Sequence, residues 1–173
     1  FQLLGIDGFN HSFNLPTSTL TSTQVSDPGT VTVDNNGTGN AIRFIKSKRD
    51  GKPFFCYVAL GAPHDPRVAP KKYMDMYPPG SVPLPPNYRP VHPWDNGEMT
   101  IRDERLAPWP RTKETVQKHL ADYYADITYM DAQIARIFQA LEETGQADNT
   151  IIIFTSDHGL AVGSHGLFGK QNL

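Results

Sequence analysis

The longest regular pattern of apolar positions runs from Thr112 to Thr144. Val116, Leu120, Tyr123, Ile127, Met130, Ile134, Ile137 and Leu141 recur at alternating spacings of four and three, which makes one stripe of an α-helix. A helix of that span is about 45 Å long. Thr112 suits its N-cap, Glu114 falls in its first turn and Gly145 ends it. The spacing also fits a coiled coil. The apolar run that follows, Asn149 to Thr155 (NTIIIFT), favours a helix laid on a sheet, because a strand at that distance completes a βαβ unit. An earlier run, Pro53 to Leu60 (PFFCYVAL), is unbroken and bounded by Gly51-Lys52 and Gly61, as expected of a central parallel strand covered on both faces. Asn40 to Lys48 places Ile42 and Ile45 three apart with basic residues toward its end, the pattern of a short amphipathic helix that stops before Asp50-Gly51. These elements predict an α/β fold.

Two stretches lack such periodicity. Residues 1–38 are rich in Ser, Thr, Asn and Gly and read as an irregular segment, with only Thr30 to Val33 β-prone. From Pro63 to Pro110 come 12 of the 15 prolines, which remove amide donors and make regular helix or sheet unlikely there. Tyr73, Tyr77, Tyr88, Trp94 and Trp109 are interleaved with them, and aromatics at that density predict a loop packed on a surface rather than a disordered linker.

Composition changes this picture mainly by exclusion. The 173 residues are one domain's worth, and 16 basic against 18 acidic residues leave a formal charge of -2. That balance gives no electrostatic reason to bind nucleic acid or an anionic membrane. No apolar run reaches the roughly 20 residues that span a bilayer. The single cysteine, Cys56, excludes an intrachain disulfide and any CxxC metal site; inside an apolar run it reads as an inert, buried thiol. The chain starts at Phe1 with no signal-peptide pattern and stops at Leu173 within a glycine-rich loop, so both ends are expected to be cut. Asn10-His11-Ser12 and Asn36-Gly37-Thr38 fit the glycosylation sequon, which is frequent by chance.

The candidate chemistry lies just past the two apolar runs. The first leads into Gly61-Ala62-Pro63-His64-Asp65-Pro66 and the second into Ser156-Asp157-His158-Gly159. In an open parallel sheet, ligands bind beyond the carboxyl ends of strands, so these groups are expected to converge. Asp157 and His158 offer a carboxylate oxygen and an imidazole nitrogen to a divalent cation, provided that ligands join from elsewhere. His64 stands between prolines that stiffen its backbone, which suits a proton donor or oxyanion partner. Lys170 closes a glycine-rich stretch, Gly163 to Gly169, as a cation for an anionic group, and His165 lies within it. The plain alternatives are a turn-capping aspartate, surface histidines and a solvated lysine. His92, Trp94 and Asp95 are placed either to touch a leaving group or to pack a lid. Asp122, Asp126 and Asp131 read as solvated or structural.

Together, Phe54 to Ala59, Ala62 to Pro66, Ala121 to Tyr124, Met130 to Ile134 and Phe154 through Lys170 resemble the sulfatase family of the alkaline phosphatase superfamily, from about residue 40 to the C-terminus. The resemblance is strongest to choline-sulfatase-like and iduronate-2-sulfatase-like members. It implies a mostly parallel sheet sandwiched by helices, with residues 39–173 as the central part of a catalytic domain and a Pro-rich loop at 62–111. It implies hydrolysis of a sulfate ester of a small molecule or saccharide, in a periplasmic or secreted setting. Asp157 and His158 then match metal ligands, for Ca2+ or alternatively Mg2+; His64 matches the residue that contacts sulfate and protonates the leaving oxygen, and Lys170 the sulfate-binding lysine. His165 is a further candidate for facing the substrate. The family's formylglycine arises from a C/S-x-P/A-x-R motif, and Cys56-Tyr57-Val58-Ala59-Leu60 departs from it. The chain by itself is therefore expected to be inactive, an internal part of a larger sulfatase. A phosphomonoester, phosphodiester or phosphonate hydrolase of the same superfamily, and an inactive anion-binding module, are the alternatives.

Overall fold

The computed structural model describes residues 35–47 and 53–172, so Thr30 to Val33 and the sequon at Asn10 lie outside the described residues. Helix α1 spans Asn35–Lys46, α2 Lys71–Met74 and α3 Lys113–Glu143, with short 3-10 turns at Asp103–Leu106 and Ala147–Asn149. By internal packing the chain forms two units. The first joins the described part of Phe1–Pro70 to Asp126–Ile151; the second joins Lys71–Ala125 to Ile152–Leu173. Helix α3 gives residues to both.

Helix α3 has the ends its sequence predicts. The Thr115 N–H donates to Thr112 Oγ1 at 3.2 Å, an N-cap bond. At the other end Gly145 takes φ 66°, its N–H donates to Glu142 O and the Gln146 N–H donates to Leu141 O. That pair of bonds closes the helix as a Schellman motif, in which the left-handed residue costs glycine nothing. The buried face departs from the expected stripe in the middle. Val116, Leu120, Ile137 and Leu141 are buried, whereas Tyr123, Ile127, Met130 and Ile134 are only half-buried. Ala121, Ala125, Asp126, Tyr129 and Gln133 are buried there instead. Which side of a helix is covered depends on what packs against it, and α3 changes unit between Ala125 and Asp126.

In the first unit, Ala41 and Ile45 of α1 are buried with Ile137, Ala140 and Leu141 of α3. Lys46 Nζ lies 2.7 Å from Glu143 Oε2, and Gln146 Nε2 donates to Ile45 O. Helix α1 begins five residues earlier than its pattern predicts and takes in Gly37, Thr38 and Gly39. Glycine disfavours helix by about 1 kcal/mol, so tertiary burial overrides local preference; Thr38 is fully buried. The run Pro53 to Leu60 has no regular secondary structure, and no strand ladder forms among the described residues. Its burial alternates: Phe54, Cys56 and Val58 are half-buried while Phe55 and Tyr57 are exposed. Phe54 and Val58 pack on the α1–α3 cluster, so one face is covered rather than two, and Cys56 is not enclosed.

The second run departs further from expectation. Ile151, Ile153 and Phe154 are 92%, 83% and 73% exposed, and no partner strand pairs with them among the described residues. A strand that is apolar on both faces is covered by helices packed on the two sides of its sheet, and its own residues cannot supply that cover. The second unit is held instead by Val82, Ala107, Val116, Leu120, Ala121, Val162 and Phe168. Tyr77, Leu84 and Tyr88 of the Pro-rich segment pack against that core, as its aromatics predict. With few amide donors of its own, the segment borrows them: Gln117 Nε2 donates to Val82 O at 2.9 Å. In the other direction, Tyr88 Oη of the segment donates to Arg111 O at 2.6 Å.

Candidate functional site

The segment Leu160 to Lys170 is a tight, nearly closed loop. The Ala161 N–H donates to Gly169 O at 2.9 Å and the Gly163 N–H to Leu167 O at 2.7 Å, folding the chain back on itself. Four residues in it have positive φ: Val162 at 40°, Gly163 at 97°, His165 at 54° and Gly166 at 79°. For a β-branched residue such as Val162 this is an outlying conformation, and such backbone persists only where surroundings over-determine it. Here Val162, Leu167 and Phe168 are buried, and the Phe168 ring meets His119 edge-on at 4.7 Å. Lys170 follows directly and is half-buried.

His165 is exposed at the turn of this loop. Its Nε2 lies 2.9 Å from Asn87 Nδ2, and its carbonyl accepts from His92 Nδ1 at 2.9 Å. It thus fastens the Pro-rich segment. His92 also meets the Trp94 ring at 4.9 Å. Asp95 Oδ1 accepts from the Gly97 N–H, which makes it a turn former.

Asp157 and His158 stand next to each other on exposed chain. Asp157 Oδ1 accepts the His158 N–H at 3.0 Å, and Oδ2 lies 3.2 Å from His158 Nε2. His158 Nδ1 faces Gly159 O at 3.1 Å. Both ring nitrogens thus face acceptor oxygens, Nδ1 a carbonyl and Nε2 a carboxylate. The Nδ1–carbonyl contact is one that metal-binding histidines commonly make through their other ring N–H. Two cis ligands at about 2.1–2.5 Å from one ion stand roughly 3.0–3.5 Å apart, which the Asp157–His158 separation fits. The pair suits two coordination positions. No group of three or more His, Cys, Asp or Glu side chains able to hold a metal occurs among the described residues, so the remaining ligands are not supplied here.

His64 belongs to the first unit and the other candidates to the second. The His64 N–H donates to Gly61 O at 3.0 Å, and its Nδ1 lies 2.8 Å from Asp65 O and 3.6 Å from Asp65 Oδ1. A carbonyl oxygen only accepts, so Nδ1 of His64 carries a proton. Arg67 Nε donates across the loop to Pro63 O at 3.4 Å. Asp126, one residue into the first unit's share of α3, is 1% exposed, and neither carboxylate oxygen has a hydrogen-bond partner among the described residues. Burial raises its pKa to about 6 against the opposing pull of the Arg67 charge. Of the three helix aspartates read as solvated or structural, Asp122 pairs with Lys118 at 2.6 Å and Asp131 is exposed, but Asp126 is buried.

The sequence pattern gives no warning of Glu104 and Arg111. Arg-Asp-Glu-Arg at 102–105 reads as a solvated charge run in a proline-rich loop, yet both side chains of the Glu104–Arg111 pair are fully buried, 2.7 Å apart. Their only advance signal is the apolar Leu106-Ala107-Pro108-Trp109-Pro110 between them.

The first unit thus carries a histidine on a proline-flanked loop, and the second carries an adjacent carboxylate–imidazole pair and a lysine that follows a strained loop. The sulfatase family model matches residues 5–172, and the chain belongs to that family. It is 34% identical over 156 residues to iduronate 2-sulfatase of Mus musculus, covering 80% of this chain and 28% of that protein. It is 35% identical over 133 residues to an arylsulfatase of Clostridium perfringens (75% and 27%) and 30% identical over 133 residues to choline-sulfatase of Rhizobium meliloti (70% and 24%). The chain spans about a quarter of the length of these curated relatives. Family membership implies the α/β fold, although no strand is formed among the described residues.

Proposed function

We propose that this chain supplies part of the active site of a metal-dependent sulfatase, acting on the sulfate ester of a small molecule or a saccharide. The observation that supports this reading is the family match over residues 5–172, a range that includes His64, Asp157, His158 and Lys170. Ester cleavage transfers a sulfuryl group whose oxygens carry negative charge, and catalysis depends on neutralising that charge and protonating the departing alkoxide. Lys170, held by a strained and buried loop, is the cation for a sulfate oxygen. Protonated at both ring nitrogens, His64 keeps its Nδ1 proton on Asp65 O and passes the Nε2 proton to the leaving oxygen, which returns the ring to its neutral form. Asp157 and His158 would hold two positions of a Ca2+ or Mg2+ ion, which when bound supplies further positive charge to the sulfate oxygens. Cys56 is given no role, since its flanking residues do not fit the formylglycine motif. The sheet in which Pro53–Leu60 and Asn149–Thr155 would be parallel strands belongs to the same proposal.

The test is a comparison of p-nitrophenyl sulfate and p-nitrophenyl phosphate turnover by the whole enzyme. A higher kcat/KM for the sulfate, lost with chelator and restored by Ca2+, is expected. A preference for the phosphate ester would overturn the assignment.

A further inference from the structure

The buried Glu104–Arg111 pair is chemically expensive. Taking both charges from water costs several kcal/mol each, and well-packed apolar residues in their place are often as stable or more so. Burial pulls the Arg111 guanidinium below its usual range, against the opposing effect of Glu104. Stability alone is therefore a weak reason for the pair, and its remaining bonds point elsewhere. Glu104 Oε1 accepts the Gly169 N–H at 2.9 Å, and its two oxygens lie 3.2 and 3.1 Å from the Phe168 N–H. Asn172 Nδ2 donates to the same carboxylate at 3.3 Å. Arg111 Nε donates to Gly166 O at 3.3 Å, Nη2 donates to Glu104 O at 2.7 Å, and Nη1 donates to Ala107 O. The guanidinium lies 3.8 Å from the Trp109 ring centre and 4.7 Å from that of Phe168. One carboxylate thus gathers the two peptide N–H groups immediately before Lys170 and a side chain just after it, while its partner holds the carbonyl of Gly166.

We propose that Glu104, backed by Arg111, is a positioning residue that fixes the backbone just before Lys170 and the Asn172 side chain after it, and so aims the Lys170 ammonium group at the anion. This rests on the reading of Lys170 as the sulfate-binding cation. Gly169 fits the same scheme: a Cβ there would come within 2.9 Å of Asp103 Cβ and 3.1 Å of Glu104 Oε1, so the carboxylate can seat only against a residue without a side chain.

A double-mutant cycle in the whole enzyme tests it, with Glu104→Gln, Lys170→Met and the combination, read as kcat/KM for p-nitrophenyl sulfate and as Kd for inorganic sulfate. Lys170→Met is expected to lower kcat/KM by about 100-fold or more. Glu104→Gln should cost about 10- to 100-fold when Lys170 is present, as a misplacement of roughly 1 Å does, and less than about 3-fold when it is not. Equal losses from Glu104→Gln in both backgrounds, or no loss in either, would overturn the positioning role while leaving Lys170 in place. If Lys170→Met changes neither turnover nor sulfate affinity, the reading beneath falls and this inference with it. Should Glu104→Gln fail to fold, Gly169→Ala runs the same cycle, because it displaces the carboxylate without stranding a buried charge.

Discussion

Asp126 sets a pH dependence that one residue can reveal. Its folded pKa of about 6 stands above the ordinary carboxylate value near 3.8. The neutral form is therefore favoured by folding: its contribution is complete below about pH 4 and is lost as pH rises through 6. Asp126→Asn should stabilise the protein above pH 7, by at most about 3 kcal/mol, with the gain vanishing near pH 4. Urea unfolding at pH 4 and pH 8 checks this; a gain that is the same at both would show that charge is not the cause. Two glycines give a contrast of opposite sign. Gly163 has φ 97° and a Cβ there would lie 2.3 Å from Val116 Cγ1, so Gly163→Ala should cost about 2 kcal/mol or more. Gly39 lies in α1 with open space around it, and Gly39→Ala should stabilise by about 0.5–1 kcal/mol. Thermal unfolding of both variants decides whether space and φ, rather than glycine as such, set the effect. At this scale the motif order nominates His64, Asp157, His158 and Lys170 as the residues of the proposed site. Glu104 and Arg111 were not legible in it, because a charged residue written among prolines carries no mark of burial.

Helix α3 is the element most fully determined by local chemistry. Its cap, its closing glycine and its length all follow from residues within one turn of each end, where hydrogen-bond partners are near in sequence. Thr112→Ala should cost about 1 kcal/mol, and Gly145→Ala a similar amount through its left-handed φ; a double mutant near the sum in thermal unfolding would confirm two independent ends. The strands show the opposite case. Pro53–Leu60 and Asn149–Thr155 have strand composition, but a ladder needs bonds to chain far away, and none forms among the described residues. Helix α1 differs for the same reason: its first turn holds Gly37 and Gly39 and exists through burial rather than propensity.

At the scale of the molecule, the exposed Ile151, Ile153 and Phe154 form an apolar run with no strand pairing among the described residues, a template for association. The 173-residue chain should bind a hydrophobic dye and self-associate, and Ile153→Lys with Phe154→Lys should reduce both; light scattering that does not change would count against the run as the contact. The sequence by itself determined the long helix and its caps, the packed Pro-rich segment, the order of the chemical groups and, through that order, membership of the sulfatase family. All of these depend on neighbours along the chain or on motif spacing. Only the tertiary structure decided that Asp126 is buried, which face of α3 is covered, that the apolar runs lie partly open, and that a buried carboxylate holds the loop of Lys170. Burial and long-range hydrogen bonding are properties of what comes to lie opposite a residue, and no local pattern of side chains encodes its partner.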